Sequence, residues 1–241
     1  MSTASASASR PTPDGPAAWR ASVITLEPLQ REPFDLRLSL TPVWELGSGL
    51  INGSSITRHG APAEAAAADL EEIDVASFAY AAAILEDEGD AERLRLPVHF
   101  VTLATQRARE RLLRLTQSVR ETMRAAVVIE ICELDAVPSS RVMEVAGLVR
   151  GLCVAVVARV RPSRQALEAV RGCGLAGVSV EAARLGLEAP DPAVRLNAFA
   201  AASRDIGADR MVHGLPQAAL VDLAAKAGFS HATVAPASVE A

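Results

Sequence analysis

From residue 34 onward the chain alternates between two hydrophobic periods. Leu36, Leu38 and Leu40 are separated by Arg37, Ser39 and Thr41, the period-two pattern of a half-buried strand. Gly47-Ser48-Gly49 supplies turn chemistry, and residues 50–58 are predicted to return as the second strand of a hairpin. Helical periodicity covers residues 64–88 and stops at the polar run Asp87-Glu88-Gly89-Asp90. Residues 97–103 read as the next strand. Residues 106–124 read as an amphipathic helix with Leu112, Leu115, Val119 and Met123 on one face.

Two apolar runs follow, VVIEICE at 127–133 and VAVVARV at 154–160. Both are short and rich in β-branched residues, which predicts buried strands. Helices are expected at 140–149 and 163–171, the second ended by Gly172. A strand at 177–180 precedes a long helix that Asp191 caps and Pro192 opens. Residues 210–212 form a short strand, 217–227 a helix closed by Gly228, and 232–234 the last strand. Eight strands with intervening helices predict an α/β fold, a (β/α) barrel that begins with a hairpin. A doubly wound open sheet is the competing architecture, and the early hairpin counts against it. In either fold the strand ends carry the chemistry. One of the two apolar runs ends on Glu130 and Glu133, the other on Ala158 and Arg159.

Composition narrows the picture. The 241 residues are 50% hydrophobic but only 3% aromatic, so Ala, Val and Leu must fill the core. Residues 1–20, rich in Ser, Ala and Pro, are expected to be a disordered tail, with Trp19 where it first touches the domain at 21–241. A net charge of −5 gives no general attraction to nucleic acid or an acidic membrane. No apolar stretch approaches the ~18 residues of a membrane span, and the first residues lack the apolar core of a secretory signal. Cys132, Cys153 and Cys173 are odd in number and have no CxxC spacing, the pattern of buried, reduced thiols in a cytoplasmic protein. Arg107, Arg109, Arg111 and Arg114 read as the solvated face of a helix.

Few residues suggest chemistry. Gly172-Cys173-Gly174 is followed by no GK[ST] and is a turn, not a phosphate loop. No G-x-S-x-G elbow occurs. Cys132 reads as a small buried thiol. Glu130 and Glu133 have opposite strand parity, which prevents them from pairing unless the strand has already ended at Glu133.

The order of the motifs resembles that of the EAL domain family, cyclic di-GMP phosphodiesterases built on a modified barrel whose first strand is antiparallel. FDLRLSLTPVWEL is similar to the family's opening strand, VVIEICE to its E-x-T-E strand, and CGLAGVSVE to the strand carrying its K-x-D. ADRMVHGLPQ and AGFSHATVAP are similar to its E-G-V-E and final G-x-x-x-x-Q-G segments. The resemblance covers about residues 34–236 and implies a modified (β/α)8, TIM-like barrel. It also implies where two divalent metals would be bound, and there the sequence departs from the pattern. Ser54 or Ser55 replaces the Glu of EAL, Thr102 the Asn, and Ala158 with Arg159 the Asp pair. Ser179 replaces the catalytic Lys, Glu181 the Asp after it, His213 the Glu of E-G-V-E, Thr233 the late Gln, and Thr41 the Gln of the opening strand. Glu130 remains as a matched metal ligand and Glu133 as the second acid of its motif.

Two-metal hydrolysis needs oxygen ligands that hold hard cations and generate hydroxide. Ala158 offers no ligand atom, and hydroxyls replace carboxylates poorly. An Arg159 charge ~4 Å from a site would cost about 4 kcal/mol per unit of cationic charge at an effective dielectric near 20. The expectation is a domain that is not an enzyme, binds no metal and needs no cofactor, and that acts as a regulatory or protein-interaction module, with a possible homodimer implied by the family. Its runner-up is a non-hydrolysing cyclic di-GMP receptor using Arg58, His59 and Arg159 as the available donors and cations. The third reading is an enzyme with altered chemistry around Glu130, Glu181 and His213. His231 shares the alternation of Thr233 and is expected to face the interior, which makes a Glu130–His213–His231 metal site imaginable, though no motif spacing supports it. His99, of opposite parity to Thr102, is expected to face the helices, and His59 lies just after the hairpin strand.

Overall fold

The computed structural model describes residues 21–26, 34–61, 65–87, 93–187 and 190–235. The expected N-terminal tail and Trp19 lie outside them. The described residues form nine strands in one sheet in sequence order, and the second strand also pairs with the ninth. The barrel therefore closes with eight strands, β2 (Phe34–Glu45) to β9 (His231–Val234), and β1 (Ala21–Leu26) is added on the outer edge of β2. β2 is antiparallel to β1, to β3 (Leu50–His59) and to β9, whereas β3 through β9 run parallel to one another. This is a TIM-like barrel whose first strand is reversed.

The hairpin forms where the alternation places it. Leu36 and Leu38 are fully buried and alternate with exposed Asp35 and Arg37. The Ser48 hydroxyl donates to the Glu45 carboxylate at 2.8 Å in the turn before β3. The β1–β3 meander joins the parallel strands by short seams. β3 pairs with β4 (Leu94–His99) only at Ser54↔Leu94 and Ser55↔Arg95, and β2 pairs with β9 only at Trp44↔Ala232 and Glu45↔His231. The short β3–β4 seam explains Pro97 within a strand. A proline cannot donate to a ladder, and beyond Ser55 the ladder with β3 has ended.

The remaining parallel strands are β5 (Val127–Cys132), β6 (Ala155–Arg159), β7 (Gly177–Glu181) and β8 (Asp209–Leu215). Around them lie α1 (Ala67–Asp87), α2 (Phe100–Ala104), α3 (Gln106–Leu115), α4 (Arg120–Ala126), α5 (Ser139–Val149), α6 (Arg164–Val170), α7 (Ala182–Leu185), α8 (Pro192–Ala202) and α9 (Leu220–Ala227). Ser163 caps α6 by accepting the Ala166 N–H at 3.2 Å, and Asp191 caps α8 by accepting that of Val194 at 3.3 Å, with Pro192 at the first turn as expected. Gly177 is needed for close approach, because a Cβ there would run into the Asp209 carbonyl.

Four expectations are corrected. β1 is an additional strand whose alternation the preceding polar tail had hidden. The predicted strand 97–103 begins earlier, at Leu94, and ends at His99, after which Phe100–Ala104 turns helical. The predicted helix 106–124 is two helices. Residues 116–119 separate α3 from α4, the Thr116 hydroxyl donates back to the Leu112 carbonyl at 3.2 Å, and Leu115 is exposed. Within the arginine run, Arg107 and Arg114 are solvated, Arg111 pairs with Glu72 at 2.9 Å, and Arg109 donates to the Leu103 carbonyl.

The two faces of the barrel strands differ in chemistry. Leu96, Val98, Ile129, Ile131, Val156, Ala158, Val178 and Val180 belong to one apolar core with helix residues such as Ile73, Phe78, Val142, Leu167, Leu196 and Phe199. That core lies between strands and helices. The alternate residues face the bore, as shown by contacts that only the bore permits. Glu130 of β5 meets His213 of β8, and Arg95 of β4 meets Asp209 of β8. Arg95, Glu130, Ser179, His231 and Thr233 are all buried there.

Candidate functional site

A cavity of about 670 Å³ opens where the parallel strands end. Its floor is organised around Glu130, whose side chain is fully buried. Arg159 donates to Glu130 Oε2. Ser179 Oγ donates to Oε1, and His213 Nε2 lies 2.7 Å from the same oxygen, which assigns the ring proton to Nε2. Both carboxylate oxygens are therefore occupied by protein donors. Arg159 also reaches Glu181 Oε1 at 3.4 Å, and Arg184 Nε holds Glu181 Oε2 at 2.9 Å. The row Glu130–Arg159–Glu181–Arg184 alternates in charge from the bore to the rim.

The environment fixes the protonation states. Burial opposes ionisation of Glu130, but the Arg159 charge, followed by the His213 and Ser179 contacts, holds its carboxyl well below the usual range. Burial pushes the His213 imidazole down; Glu130 pulls it back, and Arg159 opposes protonation again. His213 is thus a neutral donor at neutral pH. Burial pushes the Cys132 thiol up to about 12 and that of Cys153 to about 11. Neither forms the reactive thiolate near pH 8. In mass-spectrometric labelling with iodoacetamide at pH 8, both are expected to stay unmodified in the folded protein and to label fully in guanidinium chloride. Fast modification of Cys132 without denaturant would contradict the closed floor.

A second cluster forms the wall on the side of α1. Asp74, fully buried on that helix, accepts from Arg58 Nη2 at 2.8 Å, from the His99 backbone N–H at 3.0 Å and from His99 Nδ1 at 3.0 Å. Arg58 also donates to the Pro97 carbonyl. His99 corrects its expectation: Thr102 is not on the strand, and His99 shares the alternation of Arg95 and Pro97 and lines the cavity, from where it reaches Asp74. Thr41 and Thr57 hydroxyls lie 2.7 Å apart on the meander side.

The residues expected at the site separate into groups. Arg58, His59 and Arg159 all line the cavity. His59 is exposed and near Ser39, whereas the two arginines are already engaged by carboxylates. Of Ser54 and Ser55, Ser55 lines the cavity. Ala158 shares the outward face and belongs to the core against the helices, so only Arg159 of that pair reaches the site. Thr102 sits on α2 instead of a strand, buried and with its hydroxyl unpartnered. Glu133 follows the end of β5 with φ of 57° and is exposed, so it does not join Glu130.

His231 corrects the imagined Glu130–His213–His231 set. It is buried in the bore as expected, but at the opening residue of β9, where its Nδ1 lies 3.1 Å from Asp209 Oδ1 and 2.9 Å from Ser230 Oγ. His213 sits further along, in register with Glu181. Both Ser230 and Asp209 meet the same imidazole nitrogen, so the trio has no relay geometry for a nucleophilic serine. Among the described residues no group of three or more His, Cys, Asp or Glu side chains is placed to hold a metal ion. The residues present do not fit a two-metal centre, because the carboxylate best placed to serve it is neutralised by a guanidinium.

Sequence reasoning missed Asp74, Arg95, Asp209 and Arg184. Two carried a signal: Asp74 interrupts an apolar helical run, and Arg95 stands between two leucines in a strand.

No protein-family model matches the sequence, and no curated protein sequence matches it. Solved structures do. The reversed first strand, the parallel remainder and the cavity at their ends define the EAL-domain fold, and the similar structures are EAL proteins. The EAL enzyme Bd1971, in a form bound to cAMP and cyclic di-GMP, is 9% identical with a TM-score of 0.63 over 83% of this chain and 60% of its own. BlrP1 of Klebsiella pneumoniae, with manganese and cyclic di-GMP, is 14% identical with a TM-score of 0.60 over 90% and 58%. The FimX EAL domain of Xanthomonas citri, in complex with cyclic di-GMP, is 11% identical with a TM-score of 0.61 over 83% and 85%. The chain thus spans about 60% of the length of the first two. No helix among the described residues is long and apolar enough to cross a membrane.

Proposed function

We propose that this chain is an EAL-fold domain that does not hydrolyse cyclic di-GMP and serves as a regulatory, protein-binding module in signalling by that nucleotide. One observation carries the reading: Arg159 occupies the carboxylate of Glu130. A divalent ion at Glu130 would have to displace a buried, charge-assisted hydrogen bond and sit beside a fixed positive charge. The hydroxyls at Ser55 and Ser179 supply neither a replacement ligand nor a general base. The link to cyclic di-GMP signalling is supported by the shared fold alone. The test is chromatographic detection of the linear dinucleotide after incubation with cyclic di-GMP and Mg²⁺ or Mn²⁺. The expected result is no product above the protein-free control. Product that disappears in Glu130→Gln would overturn the proposal.

A second reading, a receptor that binds cyclic di-GMP intact, is favoured by the retained cavity and by Arg58, His59 and Arg159 on its walls. It is weakened because Asp74 and Glu130 already neutralise the two arginines. Calorimetric titration with cyclic di-GMP separates the two readings, since micromolar binding without turnover would make the receptor the better description.

A further inference from the structure

A second depression, of about 590 Å³, lies outside the barrel between α6 and α8. Arg164, Arg171, Arg184 and Arg195 surround it, and Glu168 is the carboxylate among its lining residues. This concentration of cations occurs on a chain whose net charge is −5. Glu168 is shared by two of the arginines, at 3.9 Å from Arg164 and 3.4 Å from Arg171. Arg171 faces Glu168 through Nε, is further paired with Asp205, and donates from Nη2 to the Ala202 carbonyl at 3.3 Å. Arg195 donates to the Leu185 carbonyl at 3.2 Å, and among the described residues no carboxylate pairs with it. Arg164 projects almost wholly into solvent.

The floor of the depression is apolar. Leu167, Leu185 and Phe199 lie at its base as buried parts of the core, and exposed Ala198 and Ala202, one turn apart on α8, leave one wall without bulk so that a helix can approach closely. Cations on the rim beside an exposed alanine wall match an amphipathic helix with carboxylates flanking its apolar stripe. Guanidinium forks suit carboxylates because they can bind both oxygens at once.

We propose that the groove between α6 and α8 docks an acidic amphipathic segment of a partner protein. The proposal rests on the reading of the chain as an interaction module and specifies the chemistry of the partner. Arg184 also lines the main cavity and holds Glu181, so the docking groove and the cavity share a wall.

The probe is a fluorescein-labelled helical peptide of about four turns with Glu and Leu on one face, followed by fluorescence anisotropy at low and physiological salt. Two control peptides replace Glu by Lys, or Leu by Ser. The Glu/Leu peptide is expected to bind, to weaken with salt, and to outbind both controls. Its affinity should fall about tenfold or more in R164E/R195E, which changes two exposed side chains, and also in A198W, which fills the groove without altering charge. Circular dichroism confirms that both variants are folded. Absence of binding, equal binding of the Glu/Ser peptide, or unchanged affinity in both variants would overturn the proposal. Hydrolysis of cyclic di-GMP by the same preparation would sink the functional reading and leave the peptide result standing.

Discussion

Arg159→Ala is expected to lower folding stability by about 3–5 kcal/mol, the usual cost of leaving a buried charge without its partner. Glu130 would keep the Ser179 and His213 contacts but lose the cation that offsets its burial. Urea denaturation of wild type, Arg159→Ala, Glu130→Gln and the double variant would show whether the loss comes from the stranded carboxylate. The double variant should then recover much of the stability, because no charge is stranded. Equal destabilisation by Arg159→Ala with and without Glu130→Gln would assign the effect to lost packing instead. The pH dependence follows the same pair. The folded pKa of Glu130 lies below its unfolded value, so its contribution is present above the ordinary carboxylate range and is lost as pH falls through the folded value.

At the opposite end of the bore, Asp209→Asn should also cost about 3–5 kcal/mol, since Arg95 would become an uncompensated buried cation. Arg95 Nη2 donates to Asp209 Oδ2 at 2.7 Å, and His231 and Ser230 meet the other oxygen. Burial raises the Asp209 pKa, but the His231 hydrogen bond and the Arg95 charge outweigh it and bring the value to about 2. With a folded pKa below the unfolded one, this group stabilises the fold above about pH 4, and the benefit disappears as pH drops towards 2. That part amounts to roughly 2 kcal/mol. Thermal melts between pH 2 and 5 should therefore slope less steeply in Asp209→Asn than in wild type. Identical slopes would place the acid sensitivity elsewhere.

Much of the barrel was legible because each strand carries an outward apolar face. Leu36 and Leu38, or Val127, Ile129 and Ile131, announce a strand whatever lies on its other side. The errors fall where local signals were weak or competed. β1 follows directly on a Ser- and Pro-rich stretch, and the apolar spacing of residues 106–124 continues across a break made by Thr116 and its polar neighbours. The site was harder to read. The sequence identifies Arg159 as hostile to a metal ion, yet it does not display that Arg159 grips Glu130. That pairing depends on the stagger between strands, which aligns Glu130 with Val157 and Arg159 with Ser179. The same stagger sends Ala158 outward and brings Arg95 and His231 to Asp209.

The short seams beside the meander show how the cavity is put together. Two-residue seams join the meander to β4 on one side and to β9 on the other, while ion clusters at two levels of the bore tie β5 to β6 and β8 and β4 to β8. Thr41, Ser55, Thr57, Arg58 and His59, one whole side of the cavity, belong to the meander. The cavity is therefore a vessel assembled from two parts of the chain, with Arg58 and Asp74 as the rivet between the hairpin side and α1.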